Sequence, residues 1–194
     1  MVATAPRIAL QHIEFEPALP EPLVSTLRTT PTWLAAQAKA VAVFATPFWR
    51  AGGLSGRVAS AVGPLVEIHD HCGPGGEPAA VFGFVGVPPA ARRADPDRLR
   101  ADLLDQLGRC FGPAGRTPLS LHVEDWAQDR FVCSDRDLTG PSGHPQALAP
   151  RVREPVFEGR LRFCGSETAA VGPGLLEGAL SAGQSVAEAL LRAG

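Results

Sequence analysis

The residues of this chain with the clearest chemical capacity are Lys39 and a run near the C-terminus, from Gly165 to Ala179. Lys39 lies in Ala38-Lys-Ala-Val-Ala-Val-Phe-Ala45, whose alternation predicts a strand with Lys39, Val41, Val43 and Ala45 on one face. A lysine pointing inward from so apolar a strand must find partners or lose its charge, because desolvation lowers its pKa. On an edge strand the same lysine would reach solvent. The C-terminal run begins as a short strand around Arg162-Phe-Cys164, continues through a Gly165-Ser-Glu-Thr168 turn, and passes a Gly172-Pro-Gly174 elbow into a helix. Pro173 presets φ for a helix start, and Gly174 lets another group approach the backbone closely. The free N–H groups of that first turn, around Leu175 and Leu176, carry partial positive charge and suit an anionic or carbonyl-rich ligand edge. By periodicity alone the same segment reads as an amphipathic helix packing on a core: Leu175, Leu176, Ala179, Leu180, Gly183, Val186, Ala187, Leu190 and Leu191 form one stripe.

Other chemically capable groups are sparser. His69-Asp-His-Cys72 offers three ligand types, and on a strand His69 and His71 share a face, but no second cluster closes a metal shell. A solvated strand end is the simpler reading. His122 and His144 are isolated, and no Ser/His/Asp arrangement follows from spacing. Arg92-Arg93 and Arg98 to Arg100 read as a solvated helix face.

The elements that must position these residues follow from pattern and punctuation. Residues up to Arg7 read as the end of a strand running into a turn, and Ile13 to Pro20 as an extended, proline-broken segment. Pro22 to Leu27 reads as a short helix. Thr46-Pro-Phe-Trp-Arg50 ends the lysine strand, since proline cannot continue an inner ladder. Leu65 to His69 and Ala80 to Val85 read as an antiparallel pair joined by a glycine-rich connection. Asp95 caps a helix running to about Phe111, with Leu99, Leu103, Leu104 and Leu107 on one face. Leu119 to Asp125 returns as a strand, and Ser134 to Pro155 reads as loop.

Composition narrows the function classes. A chain of 194 residues can bury a sizeable core. A formal charge of −2 with dispersed arginines points away from nucleic acid and anionic membranes. No apolar run approaches the roughly 20 residues needed to span a bilayer, and no signal peptide is evident at the start. A soluble cytoplasmic protein is the expectation. The four cysteines show no CxxC pairing, so reduced thiols are expected rather than zinc or disulfides.

The order of Gly165-Ser-Glu-Thr-Ala169, Gly174-Leu-Leu-Glu-Gly-Ala179 and Ser181-Ala-Gly183 resembles the C-terminal flavin-contacting segment of the flavin-containing amine oxidases, the monoamine and polyamine oxidase family. Lys39 to Arg50 resembles that family's lysine strand and following turn, and Asp125-Trp-Ala127 resembles its D-W-A element. The resemblance covers nearly the whole chain. It implies an α+β fold: a mixed, largely antiparallel sheet with flanking helices, and a C-terminal strand, turn and helix belonging to an incomplete FAD-binding domain. It implies that residues 1–10 are a remnant of a cofactor-domain strand, 11–158 a substrate-binding domain, and 159–194 the flavin-contacting strand and helix. The G-x-G-x-x-G fingerprint of dinucleotide binding is not found in the sequence.

By this resemblance the chain is part of an FAD-dependent oxidase of C–N bonds in small amines, with oxygen as acceptor. Lys39 would be the catalytic lysine, holding a water near flavin N5. Gly165, Ser166, Glu167 and Thr168 would form the turn against the flavin, and Gly174, Leu175, Leu176, Glu177 and Ala179 would bring the helix start to its pyrimidine edge. The family's paired tyrosine cage is excluded, because the chain has no tyrosine; Phe157 or Trp126 would have to supply an aromatic wall. Cys164 lies before the turn and not at the family's covalent attachment position, so FAD is expected to be non-covalent. The partners implied are a small amine and either a separate N-terminal FAD-binding chain or a second copy. The other readings are a flavin-free binding module and an inactive truncated gene product.

Overall fold

The computed structural model describes residues 5–139, 143–144, 146–148 and 150–193. In chain order these form helices α1 (Pro6–His12) and α2 (Glu21–Thr29), strand β1 (Ala38–Phe44), helix α3 (Phe48–Ala51), strands β2 (Val58–Ala59), β3 (Leu65–Asp70) and β4 (Ala79–Val85), helices α4 (Pro89–Ala94) and α5 (Pro96–Phe111), strand β5 (Ser120–Asp125), and helices α6 (Asp135–Thr139) and α7 (Leu176–Ala193). The fold is α+β, as expected. The chain divides into two compact units, Gln37–Gln128 and the combined segments Met1–Ala36 and Asp129–Gly194.

The Gln37–Gln128 unit is a five-stranded antiparallel sheet, ordered β2-β3-β4-β1-β5, with α5 on one face. The strand period of two divides β1 cleanly. Ala38, Ala40, Ala42 and Phe44 are buried, whereas Lys39, Val41 and Val43 are only partly so. The core face is therefore the one carrying the alanines, and Lys39 points away from it. Ala38, Ala40 and Ala42 share a cluster with Val81, Val85, Ile68 and the α5 stripe Leu99, Leu103 and Leu107; small side chains on the central strand leave room for the helix leucines. Asp95 caps α5 as predicted, accepting from the Arg98 N–H at 2.8 Å, with Pro96 opening the helix.

Two polar anchors hold this unit. Gln106 is buried on α5, where it accepts from the Leu65 N–H at 2.7 Å and donates to the Leu65 carbonyl at 2.8 Å. A side-chain amide thus satisfies both backbone groups at the start of β3. Arg92, at 3% exposure, is not part of a solvated face as its sequence context suggests: its guanidinium meets Asp125 at 2.9 and 2.5 Å and the Val87 carbonyl at 2.6 Å. Helix α4 is a short turn, and its periodicity is too brief to reveal which arginine faces inward.

In the other unit, α1 and α2 pack through Ala9, Leu23 and Leu27 against Val152, Val156 and Phe163. Residues 1–4 of the expected strand end lie outside the described residues; from Pro6 onward the chain is helix and not a turn, as suits a proline at the first helical position. The Ser134–Pro155 region, expected as loop, contains α6 and a 3-10 turn at Pro150–Arg153. Arg162-Phe-Cys164 does not form a continuous strand; within it Phe163 occupies a bridge position, and next to it Leu161 bridges to Val156.

A buried ion pair fastens this unit. The Arg7 guanidinium pairs with Asp137 and also donates to the carbonyls of Arg28 at 3.1 Å and Thr29 at 3.3 Å. One cation thereby satisfies the end of α2, where the helix dipole favours positive charge. Asp137 additionally accepts from the backbone N–H groups of Thr32 and Ser134, both at 3.0 Å, and from the Ser134 hydroxyl. Asp137→Ala leaves Arg7 buried without its counter-charge. It is expected to cost about 3–5 kcal/mol, read as a lowered urea midpoint at unchanged m-value.

Candidate functional site

The candidate residues fall into two sets, one in each unit. The first is the face of the sheet opposite α5. Strand register sets Glu67, Phe84, Lys39 and Glu124 in one row across β3, β4, β1 and β5, with His69, Phe82, Val41 and His122 in the next. The Lys39 ammonium lies 4.6 Å from the Phe84 ring centroid and 5.8 Å from those of Phe82 and Trp126. Cation–π attraction of this kind is worth about 0.5–1 kcal/mol at an exposed site. Among the described residues Lys39 has no carboxylate within 4.0 Å and donates no hydrogen bond. Its three donors remain available to water or ligand.

The aromatic floor extends sideways. His69 stacks on Phe82 at 5.1 Å, His71 meets the same ring edge-on at 5.2 Å, and Phe82 meets Phe84 at 6.0 Å. His69 Nε2 is 3.3 Å from a Glu67 carboxylate oxygen. The two histidines of the His69-Asp-His-Cys72 motif therefore serve an aromatic cluster. Asp70 between them is occupied by the Trp49 indole N–H at 2.8 Å, the Arg50 guanidinium at 2.7 and 2.8 Å and the Cys72 N–H at 2.9 Å. Those contacts, Arg50 foremost, hold the Asp70 carboxyl well below the usual carboxylate range. No group of three or more potential ligands for a metal occurs among the described residues.

Trp126 owes its place to Asp125. Burial alone would raise the Asp125 carboxyl, but hydrogen bonds from Arg92 and Gln128, the Arg92 charge and the Ala127 N–H outweigh it, and the group titrates lower than usual. These bonds fix the turn Trp126–Gln128 directly after β5. The Arg92–Asp125 pair could not be found from sequence: the partners stand 33 positions apart, with no shared motif.

The second set lies on the Gly165–Ala179 segment. Ser166–Thr168 is a 3-10 turn closed by bonds from the Thr168 N–H and hydroxyl to the Gly165 carbonyl, at 3.0 and 2.8 Å. Glu167 and Thr168 are buried, and the Ser166 hydroxyl donates to Glu167 at 3.0 Å. Gly172 and Gly174 take φ of 64° and 77°, the left-handed region that favours glycine. The elbow is thus a turn, and the helix proper begins at Leu176, three residues later than Pro173. The backbone N–H groups of Leu176, Glu177 and Gly178 have no partner among the described residues and form the open end of α7.

The expected apolar stripe does not become the packed one. Gly178, Ala182 and Val186 face inward, with Ala182 and Val186 against Cys164 and Ala169, whereas Leu176, Leu180 and Leu191 are 88%, 70% and 83% exposed. The small residues win because the helix lies close to the elbow: a Cβ on Gly178 would overlap the Gly172 carbonyl oxygen. Sequence reasoning also missed Arg153, which donates to the Thr168 carbonyl at 3.4 Å and so braces the turn from outside the motif. The four cysteines are thiols and not disulfides, and burial raises the thiols of Cys72, Cys110 and Cys164.

Comparison with known proteins bears on the chain as a whole. A family model described as flavin containing amine oxidoreductase matches residues 1–191. The chain is 27% identical over 199 residues to the flavin-containing amine oxidase B of Sus scrofa, covering 100% of this chain and 37% of that protein. It superposes on cyclohexylamine oxidase from Brevibacterium oxydans IH-35A with a TM-score of 0.74 and 28% identity, over 96% of this chain and 41% of the other. Putrescine oxidase bound to putrescine shares the fold, with a TM-score of 0.73 at 23% identity, covering 97% and 42%. The chain spans about two fifths of the length of the proteins it matches.

Asp125 gives this face a defined acid response. A carboxyl whose folded pKa is depressed contributes stability above its unfolded value, about 3.9, and loses it as pH falls through the lower folded value. Asp125→Asn is therefore expected to flatten the stability loss of the chain below about pH 4 and to shift Trp126 emission at neutral pH. Urea midpoints across that window, with tryptophan fluorescence as the signal, check both.

Proposed function

The chain belongs to the flavin-containing amine oxidoreductases, and from that premise we propose that it is the substrate-side part of an FAD-dependent amine oxidase with oxygen as final acceptor. The observation that carries this reading is the open start of α7 beside the Gly165–Thr168 turn. Unpartnered N–H groups at Leu176, Glu177 and Gly178, a hydroxyl at Ser166 and left-handed glycines at 172 and 174 suit the carbonyl-rich edge of an isoalloxazine. The residues present fit that edge of the group; the sequence offers no G-x-G-x-x-G to hold its pyrophosphate.

Gly165, Ser166, Glu167, Thr168, Gly174, Leu175, Leu176, Glu177 and Ala179 would hold the ring non-covalently. Bound flavin supplies the acceptor for a hydride equivalent from the carbon beside the amine nitrogen. Lys39 would hold a water through donors that no carboxylate engages, and its charge would favour reduction of oxygen close by. Phe82, Phe84 and Trp126 would seat the apolar part of a small amine and keep bulk water from it. The exposed leucines of α7 support association with a separate polypeptide carrying the dinucleotide-binding segment, or with a second copy. Four cysteines kept as thiols suit a reducing compartment, and the cytoplasm is the proposed location; no helix among the described residues is long and apolar enough to cross a membrane.

The test is an absorbance spectrum of the purified chain before and after incubation with excess FAD and desalting. Retained flavin bands are expected; a colourless protein overturns the reading for this chain alone. With flavin retained, Lys39→Met is expected to slow reoxidation by oxygen on the order of a hundredfold, the scale of a positioned proton-handling group. Stopped-flow oxidation of the photoreduced protein measures it.

A further inference from the structure

We infer that the cleft between the Gly165–Ala170 turn and the middle of α7 is an oxyanion site that takes a phosphate group, with Arg153 and Arg162 as its cations. The cleft has a volume of about 100 Å³ and is lined by both arginines, Thr168, Ser181, Ser185 and Val186 among others, with no acidic side chain. Arg162 is the decisive residue. Its Nε is buried and has no partner, and among the described residues its guanidinium forms neither a hydrogen bond nor an ion pair.

The two arginines that the fold buries whole are fully engaged, Arg7 with Asp137 and two carbonyls, Arg92 with Asp125 and Val87, whereas Arg162 is half-buried with its Nε enclosed. Burying a guanidinium nitrogen without a counter-group is costly, so an unanswered one beside a cleft indicates that the answering group comes from outside. Among the described residues Arg153 donates to the carbonyls of Leu148 and Thr168 and pairs with no carboxylate. Ser181 and Ser185, one helical turn apart on α7, also line the cleft, and neither hydroxyl is engaged among the described residues.

Two guanidiniums and two hydroxyls lining one cleft, with no carboxylate in that lining, match a tetrahedral oxyanion better than a planar carboxylate, which one arginine can take by itself. A free phosphate and the phosphate of a nucleotide share this chemistry. The assignment goes beyond the flavin reading, since it concerns different side chains from those that would meet the ring.

Calorimetric titration at constant ionic strength with pyrophosphate, ADP, FAD and riboflavin tests it. Saturable pyrophosphate binding is expected in the natural chain, weakened at least tenfold by Arg162→Gln, the loss of a charge-assisted hydrogen bond. ADP or FAD binding more tightly than pyrophosphate, with the same sensitivity to Arg162→Gln, identifies a nucleotide; pyrophosphate binding as tightly as either identifies the free ion. Riboflavin binding without pyrophosphate binding overturns the oxyanion site and leaves the flavin reading standing. Pyrophosphate binding without riboflavin binding does the reverse. Should Arg162→Gln not fold, Ser185→Asp supplies the missing anion internally. It is expected to raise the thermal midpoint and abolish the rise that pyrophosphate causes in the natural chain. An unchanged midpoint together with undiminished pyrophosphate binding overturns the proposal.

Discussion

The alternation along β1 is the constraint on which the sheet unit depends. This strand is paired on both sides, to β4 and β5, so its register governs which residues of three strands meet. A slip of one position would turn Ala38, Ala40 and Ala42 outward and drive Lys39 into the leucines of α5. The same period that seats the helix therefore gathers Lys39, Phe82 and Phe84 on the far side. Core and candidate site are the two faces of one ladder, and neither can be altered without the other.

The second organising influence is how the fold treats its arginines. Arg7 and Arg92 are drawn inside because each can satisfy carbonyls as well as a carboxylate, a task to which the forked guanidinium is suited and lysine is not. Both pairs join segments remote in sequence: Arg7 to Asp137 and Arg92 to Asp125. Hydrophobic contact brings such segments together without fixing their orientation; directional bonds at these points specify it. Lys39, a compact charge on a flexible stem, is instead left among rings on a partly exposed face.

Much of this was legible in the sequence. The lysine strand, the β3–β4 pair, the Asp95 cap and the α5 stripe each rest on a local signal, either a period or a single capping side chain. The family membership was legible too, through motifs spread along the chain. The failures share a physical cause. Which face of α7 packs depended on the close approach of the elbow at Gly172, and leucine periodicity carries no information about that distance. The burial of Arg92, the bracing of Thr168 by Arg153 and the role of Gln106 are all contacts with distant backbone, for which the amino-acid type at one position gives no warning. Pro6 shows the converse: a proline in a stretch that reads as a turn is equally suited to open a helix, and tertiary packing decides.

The absence of tyrosine from this chain has a consequence for observing it. With no tyrosine to contribute, near-ultraviolet absorption and emission are dominated by three indoles over the weak bands of phenylalanine, and each indole occupies a different setting. Trp49 is buried and donates its N–H to Asp70, Trp33 meets His144 edge-on at 4.6 Å, and Trp126 lies over the Lys39 ammonium. A core reporter, a reporter beside an ionisable imidazole and a reporter on the aromatic face are thus present without labels. Replacing two indoles at a time would resolve their separate signals, so folding, protonation and ligand arrival could each be followed by light in the same molecule.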